Sequence, residues 1–149
     1  MLIDLPRNRE VLGIGIDLVS WGRIQRFLAS HSQGFLERLL TPTEQICFRA
    51  SSHPVDFFAR SFAAKEATFK AWGAKEFGEE SLRKIEITLD EGTRFHATSQ
   101  GDPNLVQGEG EFFETPDGIG ARVMVWQVGG HCEAAFQSEA EAISGRGLL

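Results

Sequence analysis

Asp17 lies inside the apolar run Val11-Leu-Gly-Ile-Gly-Ile-Asp-Leu-Val19. Burying an unpaired charge is costly, so a carboxylate among Leu12, Ile14, Ile16 and Leu18 needs compensation; a metal ion, a backbone cap or an arginine would each supply it. A second group recurs every fourth residue, Phe62, Glu66 and Lys70, and so forms one row on a helix. In polar surroundings Glu66 and Lys70 would make a surface ion pair worth about 0.3 to 0.5 kcal/mol. Here Phe58, Phe62, Phe69 and Trp72 surround them, which points the Lys65-Glu66 dipeptide and Lys70 toward a partly enclosed site. Gly13-x-Gly15 lacks the third glycine and the following acidic strand end of a dinucleotide fingerprint, so a Rossmann reading fails. Cys47 and Cys132 are too few and too far apart in sequence for a disulfide framework or a zinc site, and read as reduced structural thiols.

The elements that must position these groups follow from the periodicity. Residues 11–19 alternate as a strand, with Gly13, Gly15 and Asp17 on one face. Ser20 caps a helix bearing Ile24, Phe27 and Leu28, and a second short helical stretch carries Phe35, Leu36, Leu39 and Leu40. Thr41-Pro-Thr-Glu44 is a capping box with proline at the first helical position. Residues 55–72 form the strongest helix, ended by Gly73. Strands follow at Lys84-Ile-Glu-Ile-Thr-Leu89, Thr93-Arg-Phe-His-Ala-Thr98 and Ala121-Arg-Val-Met-Val-Trp-Gln-Val128, the last expected to pair with His131–Gln137 across Gly129-Gly130. Residues 99–118, punctuated by Gly101, Pro103, Gly108, Gly110, Pro116 and Gly118, read as a long loop, and the tail from Ser138 as frayed.

At 149 residues the chain suits one domain, and twelve Phe with three Trp can fill its core. It has no apolar run of membrane-spanning length and no secretion-signal pattern at the start, so a cytoplasmic location is the expectation. A net charge of -6 argues against nucleic acid as a partner. The distribution is uneven: Arg23, Arg26 and Arg38 share the first third with Glu37 alone between Arg23 and Arg38, while Glu109, Glu111, Glu114 and Asp117 lie together. The arginines could face an acidic partner or merely solvate one side of a helix.

Gly-Ile-Gly-Ile-Asp17 and, some fifty residues on, Phe62-Ala-Ala-Lys-Glu-Ala-Thr-Phe-Lys-Ala-Trp-Gly73 closely resemble the two signature motifs of the 4'-phosphopantetheinyl transferase superfamily. Arg23-Ile24 and Leu40-Thr41 followed by Glu44 are similar to its holo-acyl-carrier-protein synthase branch, and the likeness covers roughly residues 11–89. The resemblance implies an α+β fold, an antiparallel sheet wrapped on a long central helix, spanning residues 11–137 between an N-terminal extension (1–10) and a flexible tail (138–149). It also implies transfer of the phosphopantetheine arm of coenzyme A to a serine of an apo acyl carrier protein, releasing adenosine 3',5'-bisphosphate.

By the same resemblance, Asp17 and Glu66 would hold Mg²⁺, Lys65 and Lys70 would lie near the coenzyme A phosphates, and Glu66 with Lys70 would be catalytic. Arg23 would meet the acidic helix of the carrier protein, with Arg26 of the same helix expected beside it, and the enzyme would be a homotrimer with no membrane partner. Mg²⁺ favours one or two carboxylates with phosphate oxygens and waters, which agrees with such a pair. Ser20 and Ser61 stand where the branch usually has glutamate and arginine, and Trp126-Gln127 where it has a Ser-His pair. A diverged module that binds the carrier without transferring the arm is therefore the second reading.

Overall fold

A computed structural model describes residues 9–73, 79–101 and 105–128. Strand β1 (Glu10–Ser20) leads into helices α1 (Trp21–Ser30), α2 (Gln33–Arg38), α3 (Pro42–Ala50) and α4 (Pro54–Trp72); the short α5 (Glu79–Leu82) precedes strands β2 (Ile85–Leu89), β3 (Arg94–Ser99), β4 (Leu105–Thr115) and β5 (Gly118–Val128). The strands form one antiparallel sheet in the order β1-β5-β4-β3-β2, so the first strand closes against the last.

The helix boundaries have local causes. The Ser20 hydroxyl accepts from Arg23 N at 3.0 Å, Ser32 caps α2 through Phe35 N, and Thr41 with Glu44 forms the capping box of α3. Helix α4 stops at Gly73, whose φ of 73° is the left-handed conformation that glycine adopts without strain. Along α4, Ala59, Ala63, Ala64 and Ala67 are fully buried against a sheet whose β5 contributes Ile119, Ala121, Val123 and Val125. Rings of Phe27, Phe48, Phe57, Phe58 and Phe62 fill the space between α4 and the first three helices.

The reading of 99–118 as a loop is corrected: eleven of those residues form β4, paired on both sides, and a two-residue turn, Pro116-Asp117, joins it to β5. The glycines there serve close packing. A Cβ at Gly110 would overlap the Phe95 ring and lie 2.5 Å from the Arg122 carbonyl oxygen, so glycine lets that ring lie on the strand backbone. Both edges of β5 are occupied, by β1 and β4. The expected partner strand His131–Gln137 and the tail from Ser138 lie outside the described residues. Among the described residues, no helix is long and apolar enough to cross a membrane.

Candidate active site

The chemistry of β1 depends on how closely α4 approaches it. A Cβ at Gly15 would overlap the Ala67 carbonyl oxygen and lie 2.9 Å from Ala67 C and Ala71 N; one at Gly13 would overlap the Ala71 carbonyl oxygen. Glycine at these two positions lets the helix backbone rest on the strand backbone. Two residues further along the same face, Asp17 then meets Lys70 one turn above Glu66.

The Lys70 ammonium donates to Asp17 Oδ1 at 2.5 Å and to the Ile16 carbonyl oxygen at 3.3 Å. Asp17 is mostly shielded while Lys70 is half exposed, so the pair lies at the mouth of the site. Glu66 is partly buried. Burial pushes its carboxyl above the ordinary glutamate value, the Asp17 charge raises it further, and Lys70 and Arg23 pull it back without cancelling the rise. The two carboxylates therefore repel each other across a site whose lysine and arginine do not fully offset them. Among the described residues no cluster of three or more His, Cys, Asp or Glu forms a protein cage for a metal. Asp17, paired with Lys70, and Glu66, whose carboxyl is raised by burial and by the Asp17 charge, form a two-carboxylate donor set of the kind that suits a Mg²⁺ ion completing its shell with phosphate oxygens and water.

Of the residues singled out in the sequence, the fold brings Asp17, Glu66 and Lys70 together. Arg23, expected only at a partner surface, also reaches this site electrostatically; its place in the first turn of α1, just after β1, was a usable signal. Arg26 is exposed on α1, and Arg38 sits 5.4 Å from the Phe35 ring centre.

Lys65 is a correction. It is 1% exposed, and its ammonium donates to Glu44 Oε2 at 2.7 Å, to Leu82 O at 2.6 Å and to Ile85 O at 2.8 Å, so all three protons are engaged by protein and none reaches a phosphate. Being next to Glu66 in sequence turns it by about 100° around the helix, away from the site.

The model of the 4'-phosphopantetheinyl transferase superfamily matches residues 13–115, which include both motifs. The chain belongs to this superfamily. A holo-[acyl-carrier-protein] synthase of Halorhodospira halophila is 39% identical over 93 residues, covering 60% of this chain and 74% of that protein. One of Nitrosospira multiformis is 40% identical over 101 residues, 67% of this chain and 81% of the relative. The crystal structure of the holo-[acyl-carrier-protein] synthase from Neisseria meningitidis superposes with a TM-score of 0.59 at 30% identity, covering 80% of this chain and all of that one. These likenesses place the chain in the holo-acyl-carrier-protein synthase branch and make it a transferase with the α+β fold of that branch.

Proposed function

We infer that the chain transfers the 4'-phosphopantetheine arm of coenzyme A to a serine of an apo acyl carrier protein, releasing adenosine 3',5'-bisphosphate. The observation that carries this is the convergence of Asp17, Glu66 and Lys70 where Gly13 and Gly15 admit α4 onto β1. Asp17 and Glu66 would hold Mg²⁺, which when bound offsets charge on the pyrophosphate under attack. Lys70, anchored by Asp17 and the Ile16 carbonyl, keeps a fixed positive charge where negative charge builds on the leaving phosphate. Glu66, directly or through a water, would take the proton of the serine hydroxyl at a carboxylate oxygen. The serine oxygen bonds to the pantetheine-side phosphorus, the bond from that phosphorus to the nucleotide phosphate breaks, and Glu66 returns its proton to solvent.

The exposed arginines 23 and 26 on α1 provide a basic docking edge for an acidic carrier helix on a chain that is acidic overall. A homotrimer has support on the outer face of β1, where Ile14, Ile16 and Leu18 are 68%, 54% and 60% exposed, a contiguous apolar stripe suited to a second copy. The cytoplasm fits the exposed free thiol of Cys47. The binding-module reading is favoured by Ser61 and Trp126, whose buried hydroxyl and indole N–H have no hydrogen-bond partner where the branch usually has arginine and the first residue of a Ser-His pair. Incubation with coenzyme A, Mg²⁺ and a panel of apo carrier proteins separates the two: the transferase raises one carrier's mass by a phosphopantetheine arm, and a binding module raises none.

A further inference from the structure

The residue beside Glu66 points into a different environment, and its bonds fix how α4 is turned. Lys65 meets Glu44 of α3, and the Glu44 carboxylate also accepts from Ile87 N at 2.7 Å and from Thr41 N at 2.9 Å. The Thr41 hydroxyl donates onward to Glu86 Oε2 at 3.0 Å. Together with the Lys65 bonds to the Leu82 and Ile85 carbonyls, this network joins α3, α4, the end of α5 and β2. Every polar atom of the pair is satisfied, and Glu44 is 2% exposed.

Stability alone does not account for such a pair, because desolvating two charges offsets much of their attraction and apolar residues of similar volume often serve as well or better. Direction does account for it. On the β1 side, α4 presents Ala67 and Ala71, small residues that set the distance between helix and strand but exert little grip on rotation. A roll of about 20° would move a group at the helix surface, roughly 5 Å from the axis, by about 2 Å. Displacement on the scale of 1 Å is enough to lower a rate on the order of 100-fold.

We propose that the buried Glu44–Lys65 pair is a positioning device for the transfer centre, fixing the roll of α4 so that Glu66 and Lys70 meet Asp17. The inference rests on the reading of that centre given above.

The test is the double variant Glu44→Gln/Lys65→Met, which removes both charges together and leaves an amide oxygen able to accept from Ile87 N. Two readouts apply: the Mg²⁺ concentration giving half-maximal transfer, and the nuclear Overhauser contact between the Lys70 and Asp17 side chains in the metal-free protein. The expected result is a folded protein in which half-saturating Mg²⁺ rises about tenfold or more and the contact weakens or is lost. A smaller folded fraction lowers the maximal rate but moves neither readout.

Unchanged half-saturation together with an unchanged contact overturns the proposal, whatever the melting temperature. If the double variant does not fold, the near-isosteric Glu44→Gln variant is judged by the same rule. If the wild-type protein transfers nothing to any carrier, the transfer reading fails, and the Lys70–Asp17 contact alone decides the positioning role: loss supports it and retention overturns it.

Discussion

Substituting Gly15→Ala tests the claim that backbone contact between α4 and β1 builds the site. The added methyl would overlap the Ala67 carbonyl oxygen and lie 2.9 Å from both Ala67 C and Ala71 N, all of them backbone atoms that no rotamer change can move aside. Ordinary contact begins near 3.5 Å, so the overlap is relieved only by separating helix and strand by more than about 1 Å. Overpacking of this kind typically destabilises by about 1 to 3 kcal/mol, and backbone-on-backbone placement puts this case at the upper end. For a chain of this size that lowers the melting temperature by roughly 6 to 12 °C.

Because Asp17 is on β1 and Glu66 with Lys70 on α4, the same displacement opens the site and should reduce transfer on the order of 100-fold in the fraction that remains folded. The assay pairs thermal unfolding with initial transfer rates measured well below the new melting temperature. Gly34→Ala serves as the control. That residue lies in α2 with no atom within 4 Å of the added methyl, and the change should stabilise by about 0.5 to 1 kcal/mol without altering transfer. A Gly15→Ala protein that melts within about 2 °C of wild type and keeps its full rate would refute the close-approach argument.

Other outcomes follow from the same geometry. In the metal-free protein the Glu66 carboxyl should titrate above its ordinary value of 4.5 by carbon-detected NMR; a nearby cation favours the charged form, so added Mg²⁺ should lower it, and no response to Mg²⁺ would remove Glu66 from the metal. Since a carboxyl raised in the folded state holds its proton longer there than in the unfolded chain, the Glu66 contribution should weaken folding as pH rises from 4.5 through the folded value; chemical unfolding across that window should show wild type losing more stability than Glu66→Gln, and equal slopes would refute the raised value. Charge reversal at Arg26, whose charge does not act on Glu66 as that of Arg23 does, should raise KM for the carrier protein far more than KM for coenzyme A, most strongly at low salt, while equal effects on both would place it outside the docking surface. Light scattering should report a trimer that Ile16→Asp converts to smaller species, and a wild-type monomer at micromolar concentration would dismiss the stripe on β1 as an interface.

Much of this was legible in the sequence because the deciding features are local. The alternation of 11–19, the Ser20 cap, the Thr41–Glu44 box and the Gly73 stop each follow from neighbouring residues, and all four stand in the structure. Strand β4 was hidden because Gly108 and Gly110 look like turn residues until β5 and the Phe95 ring are seen against them. Lys65 was misassigned for a related reason: nothing within the helix says which flank faces phosphate and which faces α3. Within the sequence Glu44 is fully accounted for by the capping box, although in the fold a single carboxylate serves both the cap and the buried lysine. Each miss depends on a contact made across many residues, which periodicity does not encode.

If Asp17, Glu66 and Lys70 act as one centre of transfer, loss of either carboxylate should stop the reaction. Intact-mass time courses of an apo carrier protein with coenzyme A and Mg²⁺, run in parallel for wild type, Asp17→Asn and Glu66→Gln, test it most directly. The account predicts steady conversion to the phosphopantetheinyl form by wild type, abolished by chelating the metal and reduced at least about 100-fold by either substitution in proteins that melt like wild type. Full conversion by either variant at the wild-type rate would contradict it.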